Sequence, residues 1–484
     1  MPWRGLRRPL GRLLRPGSRG ERVAALQRRL KELGYDPGAE DGIYGHQTAE
    51  AVRDLQRDLG LRVDGIAGPR VMAVLADPDL LDMRRSHTAA PGETLADAAR
   101  ALGVAPQVLR RACGLARRGS PAPGQRLVVW ERWVAAEVKP GAGQGGALRT
   151  LGRRAALVSA AAVVARGAPA DDPAAGEAAA AVAALGLPVW VTLHTRREPA
   201  LVPGDEEPGR LQRLLHRARE REDLVTRAQA WCGVAPVAGV HVDLSGLRFG
   251  DGPRALGLVG RLADELRSAG RQLIVSVPLR DLSGVWGRVA NDLDWEALGR
   301  LAARVVLVPP LLVDGPEPRP PSPAELRRRL RPITRRVSPW RCLVALPVGA
   351  LVVPQASPEP GPHASLETPQ GQGEPAPGLA VVSYPRAAGL ARAARTRPQW
   401  EEAAGRPVFR CPVDGRESAV WLENRTSLAV KLELVEALRL GGVYLSAVGE
   451  EDGRLWGLLE ERWKVHKPAP VAPSESPPDG PRAR

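Results

Sequence analysis

The stretch Ala238-Gly239-Val240-His241-Val242-Asp243-Leu244-Ser245 decides how the larger part of this 484-residue chain is read. Its alternation predicts a β-strand, because successive side chains along a strand point to opposite faces. His241, Asp243 and Ser245 share one face, and Val240, Val242 and Leu244 share the other. Outward from it, apolar and often β-branched runs recur at 133–138, 156–164, 188–193, 237–244, 273–277, 305–308, 342–347 and 442–447. Helical patterns lie between most of them, at 211–231, 254–269, 295–304, 323–330, 385–395 and 427–438. Eight strands alternating with helices predict an α/β fold, a (β/α)8 barrel of the TIM type over 133–466. Residues 355–378, rich in Pro, Gly, Glu and Gln, are expected to form a flexible insertion after the seventh strand.

Ahead of the barrel lies an internal repeat. Asp41-Gly42-Ile43-Tyr44-Gly45 recurs as Asp64-Gly65-Ile66-Ala67-Gly68, and each copy leads into a helical pattern. Upstream, Val23, Leu26, Leu30 and Leu33 fall at helical spacing and Gly34 closes the run. Three short helices joined by tight Asp-Gly turns follow, with glycine supplying the positive φ such turns need. Gly17, Gly20, Leu26-Gln27, Gly34-Tyr35, Asp41-Gly42, Gly45, Thr48, Ala51-Val52, Gln56, Asp64-Gly65 and Gly68 run in order. In that order they resemble the peptidoglycan-binding type 1 family, a small all-α domain expected over 14–76 behind a basic arm at 1–13. Tyr44 and Gln47 beside the first turn, with Asp41 and Asp64, are the candidate glycan-binding residues.

Residues 87–130 read as a helix pair between two short extended segments. Thr94 caps the first helix, with Asp97 three residues on as its capping-box partner. Pro123-Gly124-Gln125-Arg126-Leu127-Val128-Val129 returns extended. This order resembles a LysM domain, a small α+β module that binds N-acetylglucosamine polymers. Ala98 and Cys113 depart from that family's usual isoleucine and asparagine.

The barrel's motifs, taken in order, resemble the spore-cortex-type branch of the family 18 glycoside hydrolases. They are residues 239–244, Ser276-Val277-Pro278, 294–299, 382–387, 420–424, Lys431 and Gly442-Val443, followed by Gly449 and Trp456. Active members of that family read DGxDxDxE on strand four. The Glu protonates the leaving oxygen, and the neighbouring Asp orients the substrate's own acetamido nucleophile, an exception to the two-carboxylate scheme. By this resemblance Asp243 keeps the orienting position, whereas the acid position is Ser245. A serine hydroxyl has no proton to give near neutral pH. Val308-Pro309-Pro310-Leu311 stands where the family has a Met-x-Tyr-Asp segment, and Ser446 stands where its strand-eight Trp floors the sugar subsite. His241, a candidate catalytic acid in place of the family's usual Asp or Asn, is rather expected to be an interior residue partnered by Asp243. Glu423, Asp251 and Asp281 are the carboxylates that could replace the acid.

Composition narrows the alternatives. The net charge of +15 would invite a nucleic-acid reading, but five of the 69 basic residues are lysine and the rest arginine. With two phenylalanines and four tyrosines this bias reads as a GC-rich codon signature, and no DNA-binding motif accompanies it. The four cysteines are far apart with no CxxC pair, and the seven histidines form no HExxH, so neither metal nor cofactor is expected. No membrane span is expected: the densest apolar stretch, 155–184, is broken by Arg166, Asp171, Asp172 and Pro173. The first 25 residues show no continuous apolar region of a secretory signal, and 467–484 reads as a disordered tail.

These observations predict a protein of the cell wall or spore cortex and coat that binds peptidoglycan or another N-acetylglucosamine-containing glycan and has lost hydrolysis. An active N-acetylglucosaminidase with a non-standard acid, and a basic scaffold for another anionic polymer, are the alternatives. Oligomeric state is not legible.

Overall fold

The computed structural model describes residues 13–468 apart from 60, 78–79, 81, 117–118, 142–143, 195–209, 235, 283–291, 313–317, 356–379 and 447. The expected basic arm, the insertion at 355–378 and the C-terminal tail fall almost wholly outside the described residues.

Three helices, Glu21–Glu32, His46–Asp58 and Pro69–Leu75, form the N-terminal module. Their apolar stripes meet in one core that includes Val23, Leu26, Leu30, Val52, Leu55, Val71 and Leu75. A βααβ unit follows. Strands β1 (Arg84–Thr88) and β2 (Arg126–Trp130) pair antiparallel around helices Leu95–Ala101 and Pro106–Cys113. The capping box expected at Thr94 and Asp97 is formed.

Eight parallel strands then close a barrel: β3 (Trp133–Val138), β4 (Ala160–Ala165), β5 (Val189–His194), β6 (Val237–Asp243), β7 (Gln272–Pro278), β8 (Arg304–Val308) and β9 (Cys342–Pro347), with the eighth strand near the C-terminus. Each of the eight expected runs contains a barrel strand, although the second opens on a short 3-10 helix, Ala155–Leu157, and its strand begins only at Ala160. The seam closes where Gly442, at φ 156°, lies against β3; a Cβ there would come within 1.8 Å of the Trp133 carbonyl oxygen. Outward side chains such as Val134, Val163, Val191, Val240, Val275 and Val344 pack under the surrounding helices. The inward ones, among them Trp133, Ala135, Ala162, Trp190, Ile274, Val306 and Ala345, join the core of the N-terminal module instead.

Between β9 and the last barrel strand lies an antiparallel sheet that the sequence reading did not anticipate. Its strands are β10 (Ala350–Pro354), β11 (Ala380–Val382), β12 (Gln399–Glu401), β13 (Arg406–Val413) and β14 (Arg416–Trp421), in the order β11-β10-β14-β13-β12, and the barrel's last strand is β15 (Gly442–Ser446). The helical pattern at 211–231 is also corrected. It is two helices, Arg210–His216 and Ala218–Cys232, separated by extended backbone at Arg217.

The N-terminal module is seated on the base of the barrel, where the strands begin. Trp130 stacks on Trp340 at 4.7 Å between ring centroids, and Trp133 stacks on Trp190 at 5.5 Å just inside the lumen. Asp77, at the end of the module, accepts from the Ser338 hydroxyl at 2.9 Å and pairs with Arg341 at 3.3 Å. This shared core and the ion pair of the buried Asp77 tie module and barrel together.

Candidate functional site

Two glutamines organise the repeat. The Gln27 side-chain amide donates to Asp41 Oδ1, the Ile43 carbonyl and Thr48 Oγ1, while its oxygen accepts from the Gly42 amide at 2.9 Å. Gln56 does the same in the second copy: it donates to Asp64 Oδ1 and the Ile66 carbonyl, and accepts from Gly65 N at 2.8 Å and Asp64 N at 3.0 Å. Each aspartate also accepts from the amide two residues on, Ile43 at 2.8 Å and Ile66 at 3.0 Å. The Ile43 amide and Gln27 hold the Asp41 carboxyl below its ordinary range. At Asp64 burial pushes upward, and Gln56 and Ile66 outweigh it. These carboxylates therefore knit the turns.

Tyr44 requires a correction as a glycan-binding candidate. It is 1% exposed, and its hydroxyl donates to the Gly65 carbonyl at 2.8 Å, so it locks the first turn to the second. Of the four candidates, Gln47 is exposed, packs over Gly38 and makes no hydrogen bond among the described residues, and Ile43 (39% exposed) and Val63 (46%) stand beside the two turns. Sequence reasoning missed Gln27 and Gln56 as organisers because they precede their turn glycines by different distances.

Inside the barrel, alternation along β6 brings His241 and Asp243 into the lumen, as expected. Both are 2% exposed. His241 Nδ1 meets Thr192 Oγ1 at 3.0 Å and its Nε2 meets Ser276 Oγ at 2.7 Å, with the ring 5.2 Å from that of Tyr444. Thr192 and Ser276 thus meet its two ring nitrogens. Asp243 Oδ1 accepts from the Ser245 amide at 3.0 Å. Ser245 Oγ is buried and has no hydrogen-bond partner among the described residues. Ser446, at the end of β15, is buried and donates weakly to the Leu346 carbonyl at 3.4 Å.

A carboxylate that sequence reasoning missed shares this lumen. Glu137, on β3, is 5% exposed; its Oε2 accepts from the Tyr444 hydroxyl at 2.9 Å, and its Oε1 has no partner among the described residues. Burial first, and then the Glu137 charge, push the Tyr444 hydroxyl far above its ordinary range, so it stays protonated and donates; Tyr444 is also bonded to Thr192. The signal lay in the run Trp133-Val134-Ala135-Ala136-Glu137-Val138, where period two puts Glu137 on the face of Trp133 and Ala135.

The three expected replacement carboxylates are elsewhere engaged. Glu423 is 0% exposed and sits between β14 and the helix Arg425–Ala437, bonded to the Ser427 hydroxyl and Lys431 and paired with Arg406 at 3.2 Å. Burial pushes its carboxyl up, but Arg406 and Lys431 outweigh it and keep the group ionised. Lys431 in turn is pushed down to about 7 by burial and by Arg406. Asp251, 4% exposed, accepts from Gln212 Nε2 at 3.0 Å and from the Arg248 amide at 2.8 Å in the loop after β6. Asp281 pairs with Arg328 at 2.9 Å. As for metals, no group of three or more His, Cys, Asp or Glu that could hold an ion occurs among the described residues.

With this geometry in place, comparison with known proteins separates the two halves. Residues 19–75 match the family described as "Putative peptidoglycan binding domain". The N-terminal module is a peptidoglycan-binding-type domain. Over 56 residues, 12% of this chain and 14% of that protein, it is 46% identical to N-acetylmuramoyl-L-alanine amidase CwlM of Mycobacterium tuberculosis. Over 63 residues, 13% of this chain and 24% of that protein, it is 41% identical to a spore cortex-lytic enzyme of Bacillus cereus. The chain thus spans about a quarter or less of the length of these curated relatives.

Beyond the peptidoglycan-binding domain the similarity is one of fold. The spore cortex-lytic enzyme SleL of Bacillus cereus superimposes with a TM-score of 0.54 at 16% identity, covering 79% of this chain and 87% of that one. A chitinase from Chromobacterium violaceum gives 0.52 at 21% identity, covering 68% and 98%. The closed eight-stranded barrel is therefore the fold of these hydrolases.

Proposed function

We propose that this protein binds wall glycan, peptidoglycan or a related N-acetylglucosamine polymer, and that its family-18-like barrel no longer hydrolyses it. The observation that carries the second half is at the end of β6. Asp243 is in the lumen with its carboxylate turned to the amide of residue 245, and the side chain at that position is a serine with an unbonded hydroxyl. An acid there would need a carboxyl tuned toward neutral pH, which serine lacks. The replacements foreseen are both engaged: Glu423 is held by the buried Lys431 and Arg406, and Asp251 accepts from Gln212 and from the Arg248 amide. The peptidoglycan-binding domain supports the first half, and the βααβ unit, in LysM-like order, adds a second glycan-binding candidate. Relatives named as spore cortex-lytic enzymes support a place at the wall or spore cortex and coat. The test is to pellet the full chain with insoluble peptidoglycan and to assay release of reducing sugar ends. Co-sedimentation without release supports the reading; release of N-acetylglucosamine ends that is lost in Asp243→Asn contradicts it.

One observation favours the second reading, an active glycosidase. Glu137 brings a carboxylate with an unpartnered oxygen into the same lumen. If activity is found, Glu137→Gln abolishes it under this reading, and Glu423→Gln does not.

A further inference from the structure

The helix Pro323–Ile333, between β8 and β9, presents Arg327, Arg328 and Arg331 outward, and Arg335 follows just beyond its end. With Ala324 and Pro332 these four arginines line a groove of about 250 Å³. Arg328 is paired with Asp281 at 2.9 Å. Arg327, Arg331 and Arg335 have no ion-pair partner among the described residues. Outside the groove's lining, another arginine across the domain junction feels its charge. Arg70, on the helix Pro69–Leu75 of the peptidoglycan-binding domain, is half-buried, and its Nε has no hydrogen-bond partner among the described residues. Burial disfavours its charge, and Arg335 and Arg331 add to that.

Like charges gathered from two docked units oppose the docking unless something neutralises them. Helix geometry puts Arg327 and Arg331 roughly 6 Å apart along the axis, a spacing suited to a chain with one charge per short repeat. Guanidinium groups meet phosphate in bidentate fashion, which favours phosphate over a lone carboxylate. The groove carries no aromatic side chain on which a base could stack, which sets it apart from single-strand nucleic-acid channels.

We propose that this arginine groove, at the junction of the peptidoglycan-binding domain and the barrel, binds a phosphodiester wall polymer of the poly(glycerol phosphate) kind. It gives the protein a second wall ligand, recognised by charge and separate from the glycan. This goes beyond the glycan-binding reading and does not depend on it.

The test uses the full chain and fluorescent poly(glycerol phosphate), titrated at several salt concentrations. The double variant Arg331→Ala/Arg335→Ala is expected to lose about tenfold in affinity and to lower the salt slope by roughly 1 to 2, as expected for two phosphate contacts. The control, Arg149→Ala/Arg153→Ala, removes the same charge from exposed positions on another helix and is expected to bind as the parent does. Equal losses in both double variants would reduce the effect to overall charge and overturn the site. A single-stranded oligonucleotide of equal charge that binds as tightly, and is weakened by the same variant, would make it a nucleic-acid groove instead. Poly-glutamate binding equally well would overturn the preference for phosphate. Sedimentation with phosphate-free peptidoglycan is read on the same variants. Failure there strikes the glycan reading and leaves this one standing.

Discussion

In the peptidoglycan-binding domain, the polar residues that mark the sequence are bonded to one another: Gln27 to Asp41 and Thr48, Gln56 to Asp64, Tyr44 to the second turn. In the barrel lumen Ser245 Oγ, Glu137 Oε1 and Trp133 Nε1 are buried without a hydrogen-bond partner among the described residues. Buried polar groups are ordinarily satisfied, and exceptions ask for a reason. The contrast teaches that a motif residue can be diagnostic of a family and still do structural work. The lumen, by contrast, keeps loose ends.

That contrast can be broken or sharpened by mutation. The largest effect is expected at Glu423→Ala, which strands Lys431 and Arg406 in a fully buried cluster; about 3–5 kcal/mol of stability should be lost in denaturant unfolding. Next comes Gln27→Ala. It leaves the Gly42 amide and the Asp41 carboxylate without their shared partner, at a cost of about 1–3 kcal/mol. Gln56→Ala should cost a similar amount, because the second clip repeats the first; a large difference between the two would break the equivalence of the copies. Glu137→Gln keeps an acceptor for Tyr444 and should change stability by less than about 1 kcal/mol. The smallest effect is expected at Ser245→Ala, within about 0.5 kcal/mol, because its hydroxyl has no bond to lose. A substantial loss there would mean that the hydroxyl is engaged after all.

The barrel was legible because its strands are buried on both faces and so read as unbroken apolar runs. The repeat was legible because glycine at φ 71° in Gly42 and φ 70° in Gly65 follows from turn geometry alone. The inserted sheet was not. Two of its strands, Ala380–Val382 and Gln399–Glu401, are three residues long, too short for any period to register. Tyr44 misled because an aromatic next to an Asp-Gly turn reads as exposed; only the fold shows the second turn covering it. Glu423 misled for the opposite reason. Its position in the chain says nothing of Lys431 and Arg406, which arrive from a helix and from a neighbouring strand. Glu137 was readable from alternation, but a single carboxylate in an alanine-rich run carries no motif.

Docking also shapes how the account can be tested. Removing the first 132 residues would uncover Trp340, which Trp130 stacks upon, and would leave Arg341 without Asp77. A truncated barrel would therefore confound lost binding with lost stability. The most direct measurement keeps the chain whole: incubate it with insoluble peptidoglycan and analyse the soluble fraction for newly formed reducing ends by mass spectrometry. The account predicts that the protein sediments with the glycan and that no such fragments appear. Fragments ending in N-acetylglucosamine, or protein left in the supernatant, would contradict it.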